Sequence, residues 1–121
     1  MEPNLSAYLQ NQIKQAQQLE GQIEQIASQK YQLDIRIKEL DKTIKELEEI
    51  SDGTKVFKSV GPVLYEVESR KKLIDELSEQ KELSEIRVKT LEKQQSSLEE
   101  KYKELEEILK KKYDEARKGA K

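Results

Sequence analysis

The feature that most constrains this chain is an apolar seam in alternating steps of three and four, running through its first arm and again through its second. Leu9, Gln12, Ala16, Leu19, Ile23, Ile26, Lys30, Leu33, Ile37, Leu40, Ile44 and Leu47 follow it in the first arm, and Leu5 extends it backwards. Ile74, Leu77, Lys81, Ser84, Val88, Leu91, Gln95, Leu98, Tyr102, Leu105, Leu109 and Lys112, then Ala116, follow it in the second. A repeat of 3.5 residues is the a/d signature of a coiled coil, in which slight under-winding keeps the seam against a partner helix. Such a seam buries one line of side chains and cannot fill a compact core. Composition agrees: 40% of residues are charged and 34% hydrophobic, against about 25% and 45–50% in ordinary globular chains. The expected fold is mostly α.

Two arms of equal length with a short connection predict a long antiparallel two-helix coiled coil. One domain is expected over residues 1–121, with helices over about 5–50 and 70–118 and an insert at 54–68. Asn4 or Ser6 suits the first N-cap, Ser69 the second. Ser51-Asp52-Gly53 closes the first helix, with Gly53 in a left-handed position. Arg70, Lys71 and Lys72 sit unfavourably at the positive end of the second helix dipole. In an antiparallel pair a faces d, and partner numbers summing to 121 centre the pairing between Val60 and Gly61. That register sets every polar seam residue against an apolar one, for example Lys30 against Leu91 and Leu40 against Lys81. One heptad shorter places Lys30 against Ser84; one heptad longer moves the centre off the insert. Charge runs such as KELDKTIKELEE read as solvated faces with i,i+4 pairs.

Between the arms lies TKVFKSVGPVLYEVES, rich in β-branched and aromatic residues. Two strands are expected, with Val63, Tyr65 and Val67 on one face of the second. Pro62 at the second central position argues against the common tight turns, so a looser turn or a bulge is expected at Gly61-Pro62. A lone hairpin is marginal in water and carries two unpaired edges. Val56, Phe57, Val60, Val63, Leu64, Tyr65 and Val67 have nothing to bury against on a thin coil. Each would contribute on the order of 1.5–3 kcal/mol if fully buried. The insert therefore reads as an assembly device that joins hairpins of other chains in a multi-subunit β-sheet or β-barrel platform; the bland alternative is a spacer packed on its own helices.

Tyr8 and Ile13 fall at g and e beside the first seam, Ile108 and Tyr113 at g and e beside the second. The register brings all four to the open end of the coil, where fraying would also expose Leu5, Leu9 and Leu109. Extra apolar surface at an open tip suggests binding of exposed hydrophobic segments. The same four could instead widen the seam and resist fraying. Ile50 and Leu73, the flanking apolar residues near the insert, are expected to pack against the platform.

Other function classes fit less well. There is no histidine or cysteine and no Gly-rich phosphate loop, so neither an enzyme nor a metal or cofactor site is expected. Net charge is −2, without the basic excess of nucleic-acid binders. No run is long enough for a membrane span, and the acidic, polar start MEPNLSAYLQ does not resemble a secretory signal. A soluble cytoplasmic protein is expected. A passive coiled-coil tether would explain the heptads but leave the hairpin without a purpose.

The Gln-rich first helix NQIKQAQQLEGQIEQIASQKYQLD, the insert DGTKVFKSVGPVL and the second heptad stretch RVKTLEKQQSSLEEK together resemble the β-class subunit of archaeal-type prefoldin. The likeness covers essentially the whole chain, and VFKSVGPVL between two arms is its most specific part. A single hairpin-sized insert is similar to the β class; the α class carries a longer one with two hairpins. Pro62 and the Lys-rich end depart from the family pattern. The resemblance implies a hexamer of two α and four β subunits on a β-barrel platform. It implies ATP-independent capture of non-native proteins between coiled-coil tips and transfer to a group II chaperonin, with no catalytic residue. The last twelve residues carry six basic and two acidic side chains, which could steer docking to an acidic chaperonin surface or be a solvated helix end.

Overall fold

The computed structural model describes residues 2–119, and side chains from Leu5 onward. Helix α1 (Glu2–Glu49) is followed by strands β1 (Phe57–Val60) and β2 (Val63–Glu66) and by helix α2 (Arg70–Gly119). Both helices are built from Leu, Glu, Lys and Gln, which lose little rotamer freedom in a helix. The chain divides into two compact units, Met1–Lys30 with Thr90–Lys121 and Tyr31–Lys89.

Within each unit α1 and α2 segments run antiparallel, and burial follows the heptads. Each seam residue from Leu9 to Leu47 and from Ile74 to Lys112 is buried or half-buried, and the residues between them are mostly exposed. Leu91, 1% exposed, is the most enclosed; Leu105 is also buried in the first unit, and Leu40, Ile44 and Leu47 in the second. Leu5 and Ala116 are exposed, so the packed seam stops short of both.

Three polar seam residues, Lys30, Lys81 and Tyr102, reach sideways to carboxylates and an amide of the facing helix, which lets both lysines sit in the seam without leaving a charge unpaired. In the first unit Lys30 Nζ donates to Gln95 Oε1 at 3.2 Å and lies 4.0 Å from Glu92 Oε1. The Tyr102 hydroxyl donates to Glu20. In the second unit Lys81 Nζ donates to Asp41 Oδ1 at 2.8 Å, and Lys45 lies 3.0 Å from the other oxygen. The pairs Lys30–Glu92, Tyr102–Glu20 and Asp41–Lys81 each lie one residue from the sum of 121, the register chosen from the placement of polar residues.

Three local features differ from expectation. Helix α1 begins at Glu2, ahead of Asn4 and Ser6, so neither caps it; the Asn4 side chain lies outside those described. The hairpin turn is tight: Val60 pairs with Val63, leaving Gly61-Pro62 as a two-residue loop. Gly61 has φ 57° and Pro62 a negative φ, the pattern of a type II′ turn, which asks for glycine first. Glycine also lacks the Cβ that a following proline would crowd. The expectation of a looser turn rested on types that need a right-handed first residue, and Gly61 is not one.

Arg70 is the third. It turns away from its own helix end and donates to the Ile50 carbonyl at 2.6 Å and to Asp52 Oδ1 at 2.8 Å. The cation thus serves the negative C-terminal end of α1 rather than crowding the positive end of α2. Ser69 caps α2 as expected, its Oγ accepting from the Lys72 N–H at 3.2 Å. Gly53, at φ 86°, is left-handed as expected, but it lies past the end of α1 at Glu49, in a turn where the Thr54 N–H donates to the Ser51 carbonyl at 3.1 Å, and so does not itself end the helix.

Candidate functional site

Two surfaces carry apolar side chains that the chain itself does not cover. The first is the hairpin. Its strands pair Phe57 with Glu66, Lys58 with Tyr65, Ser59 with Leu64 and Val60 with Val63, and the Val67 N–H donates to the Val56 carbonyl at 2.8 Å, extending the ladder. Alternation puts Val60, Val63 and Tyr65 on one face and Phe57 and Leu64 on the other. All eight strand residues are exposed, and only Val56 and Val67, next to the helices, are half-buried. A two-stranded sheet has two open edges, and these strands are apolar on both faces. A salt bridge of 3.9 Å from Lys58 to Glu76 ties the hairpin to α2.

The second surface lies in the first unit, where α1 begins and α2 ends. Tyr8 is 41% exposed, Ile13 49%, Ile108 43% and Tyr113 64%. Leu5 is also exposed, while Leu9 and Leu109 are half-buried in the seam. The heptad places Tyr8 and Ile108 on one flank of the seam and Ile13 and Tyr113 on the other. Ile108 shares a groove with Gln15 and the half-buried Leu19, so that flank is continuous with the seam.

The two flanks differ chemically. The e flank carries Glu20, Asp34, Asp41, Glu85, Glu92, Glu99 and Glu106, and Lys30, Lys81 and Tyr102 turn toward it. The hydrogen bonds from Lys81 and Lys45 hold the Asp41 carboxyl below the usual carboxylate range. The same contact with Asp41 holds the Lys81 ammonium above its ordinary value. Hydrogen bonding to Glu20 pushes the Tyr102 hydroxyl upward. In the first unit the g flank carries Gln15, Gln22, Gln29 and Gln94 together with Lys101 and Glu115.

Sequence reasoning missed some exposed apolar residues. Tyr31, Ile35, Leu83 and Ile86, in the second unit, are exposed although they lie outside the seam. Their heptad letters, b, c and f, were available in the sequence, but single apolar residues on an outer face carry no periodic signal. The Arg70 clamp was also missed, because a helix-start cation reaching back to the preceding helix has no sequence signature. Among the described residues no carboxylate cluster could hold a metal ion, and no helix is long and apolar enough to cross a membrane.

Residues 10–116, spanning both helices and the hairpin, match the family model described as prefoldin subunit. The chain is 58% identical to the prefoldin subunit beta of Thermoplasma volcanium over 99% of its own length and 98% of the relative's. It is 56% identical to that of Thermoplasma acidophilum over the same shares. The crystal structure of the prefoldin beta subunit from Thermococcus strain KS-1 is similar with a TM-score of 0.77 at 29% identity, covering 86% of this chain and 90% of that one. Two heptad helices, one exposed two-stranded hairpin and a match across nearly the whole length lead to one conclusion: the chain belongs to the prefoldin family, as a β-class subunit.

Proposed function

We propose that this chain is one of four β subunits that assemble with two α subunits through their hairpins into a β-barrel platform. The complex captures non-native proteins without ATP and passes them to a group II chaperonin in the cytoplasm. In this reading Val56, Phe57, Val60, Val63, Leu64, Tyr65 and Val67 are assembly residues. Tyr8, Ile13, Ile108 and Tyr113 bind the client, helped by Leu5, Leu9 and Leu109. The chain contributes binding surface, not catalysis.

The observation that carries the reading is the pair of apolar surfaces left open for different purposes. Strand edges call for other strands, because backbone N–H and C=O groups are satisfied in fixed register. Isolated apolar side chains beside a charged coil impose no register, which suits partners that share exposed hydrophobic groups but no sequence.

The test is light scattering in nucleotide-free buffer. A chemically denatured, unrelated protein is diluted into the chain assembled with an α-class companion. Suppressed scattering is expected, and loss of suppression when Tyr8→Ser, Ile13→Ser, Ile108→Ser and Tyr113→Ser are combined in a complex of unchanged mass. Full suppression by that variant would move the client site elsewhere. No suppression by the unsubstituted complex would leave a passive coiled-coil tether.

A further inference from the structure

In the second unit, Tyr31–Lys89, the two helices turn unlike faces outward, away from the seam. Heptad positions b, c and f look outward. On α1 between 38 and 45 they hold Lys38, Glu39, Lys42 and Lys45. At the same height on α2, between 76 and 83, they hold Glu76, Glu79, Glu82 and Leu83. Nearer the hairpin the signs exchange at f, where Glu49 of α1 is level with Lys72 of α2. Glu46, at c, and Asp75, at b, fall on opposite shoulders of these faces. Farther from the hairpin both faces become apolar, with Tyr31 and Ile35 on α1 and Leu83 and Ile86 on α2, all exposed. Ile35 is level with Ile86, Lys42 with Glu79 and Lys45 with Glu76 in the register that sums to 121.

Within one chain these level pairs cannot meet, because both helices stand between them. The α1 line runs through b and f and leans toward the e flank; the α2 line runs through c and f and leans toward the g flank. The two lines therefore look in opposite directions. A second copy standing alongside, with its hairpin at the same end, sets its α2 line against the α1 line of the first, antiparallel and level. Among the described residues, the side chains of Lys38, Lys42, Glu79 and Glu82 make no ion pair or hydrogen bond within the chain. Lys45 has Asp41 at 3.0 Å and Glu76 has Lys58 at 3.9 Å, yet both side chains remain more than half exposed. Two unlike patches on opposite sides make a heterologous contact, which passes from copy to copy around a ring.

We propose that the outward face of α1 in the second unit docks on the outward face of α2 of a second copy of this chain, resting on the hairpin platform for what sets the two coils level. Ile35 meets Ile86, and Tyr31 covers it. The Lys38 stem lies over Leu83 with its ammonium toward Glu82. Lys42 pairs with Glu79, Lys45 with Glu76 and Glu49 with Lys72. From Tyr31 to Glu49 the contact runs about 27 Å at 1.5 Å per residue. The charge order fixes which helix of a neighbour is accepted, since α1 against α1 would oppose lysines and α2 against α2 glutamates.

The chain has no cysteine, so introduced thiols report on this contact alone. Lys42→Cys with Glu79→Cys in one chain, assembled with the α-class companion and mildly oxidised, is expected to give disulfide-linked pairs of this chain. The two sites of one copy lie on opposite sides of the coil, beyond the roughly 7 Å between Cα atoms that a disulfide spans. Lys42→Cys with Lys72→Cys, about 10 Å out of register, is expected to give far fewer. Equal yields from both pairs, or none from the matched pair in a complex of unsubstituted mass, overturn the contact. Lys42→Glu alone is expected to raise the half-dissociation concentration about fivefold in low salt, and adding Glu79→Lys to restore it. A swapped chain no tighter than the single variant also overturns it. Val60→Asp with Val63→Asp judges the platform separately. If that variant falls apart while the matched cysteines fail to link, the platform stands without the coil contact. If the unsubstituted chain stays monomeric beside its companion, both readings fall.

Discussion

Replacing Val60 and Val63 together by Asp tests whether the hairpin drives assembly. The two valines face each other across the turn and are 52% and 57% exposed. About half of each side chain thus remains to be covered, worth roughly 1 kcal/mol per valine from an apolar transfer of 1.5–3 kcal/mol for full burial. Two valines account for about 2 kcal/mol per subunit, and each buried carboxylate that replaces one adds a desolvation cost of several kcal/mol. The total exceeds about 5 kcal/mol per subunit, more than a thousandfold in each association step. Helix content should survive, because neither residue belongs to the seam. Opposed aspartates also repel across the ladder, so Val60→Thr with Val63→Thr is the companion variant. Threonine retains β propensity while losing apolar character. Analytical ultracentrifugation with an α-class companion should show small species for the Asp pair and a weakened complex for the Thr pair. Far-UV circular dichroism should be unchanged for both. Wild-type sedimentation of the Asp pair would refute the argument, since no platform that buries this face could accept two carboxylates per subunit.

Two further predictions concern the coil. Leu91→Ala empties the most enclosed position and should cost about 2–5 kcal/mol in urea unfolding, whereas Leu83→Ala, at a side chain 60% exposed, should stay within about 0.5 kcal/mol; similar losses at both would contradict the single-seam packing. Because Asp41 is held below its ordinary range, its contribution is fully present above that range and fades as pH falls below about 4, through the depressed folded value. Lys81, raised by the same contact, contributes below the ordinary lysine range and loses its contribution as pH climbs past about 10. Urea midpoints of Asp41→Asn should therefore vary less than wild type at both extremes, and an identical pH profile would remove the pair from the stability of the coil.

How much was legible depended on whether a feature repeats. The seam was readable because its period holds through Gln12, Lys30, Lys81 and Gln95, and the register followed from keeping those polar residues apart. The Ser69 cap and the left-handed conformation of Gly53 are local chemistry, confined to a residue and its neighbours, and were readable for that reason. The Gly61-Pro62 turn was misread because proline was weighed against right-handed turns, while glycine before it opened a primed one. Arg70 was misread because its effect depends on where α1 ends in space, not on its own helix. Of the proposed client residues, e and g letters located Tyr8, Ile13, Ile108 and Tyr113, and all four are exposed.

The open hairpin also bears on supply. A chain with two free strand edges and apolar side chains on both faces is, until it meets its partners, itself a protein with exposed hydrophobic surface. Its copies compete for the same edges as the chains they should join, and self-pairing grows with their concentration. In the proposed assembly, the ratio in which α and β chains are made would decide how much of this surface is sheltered and how much is free to seed aggregates. Under the proposed function, a subunit made in excess would add to the load of sticky protein that the complex reduces.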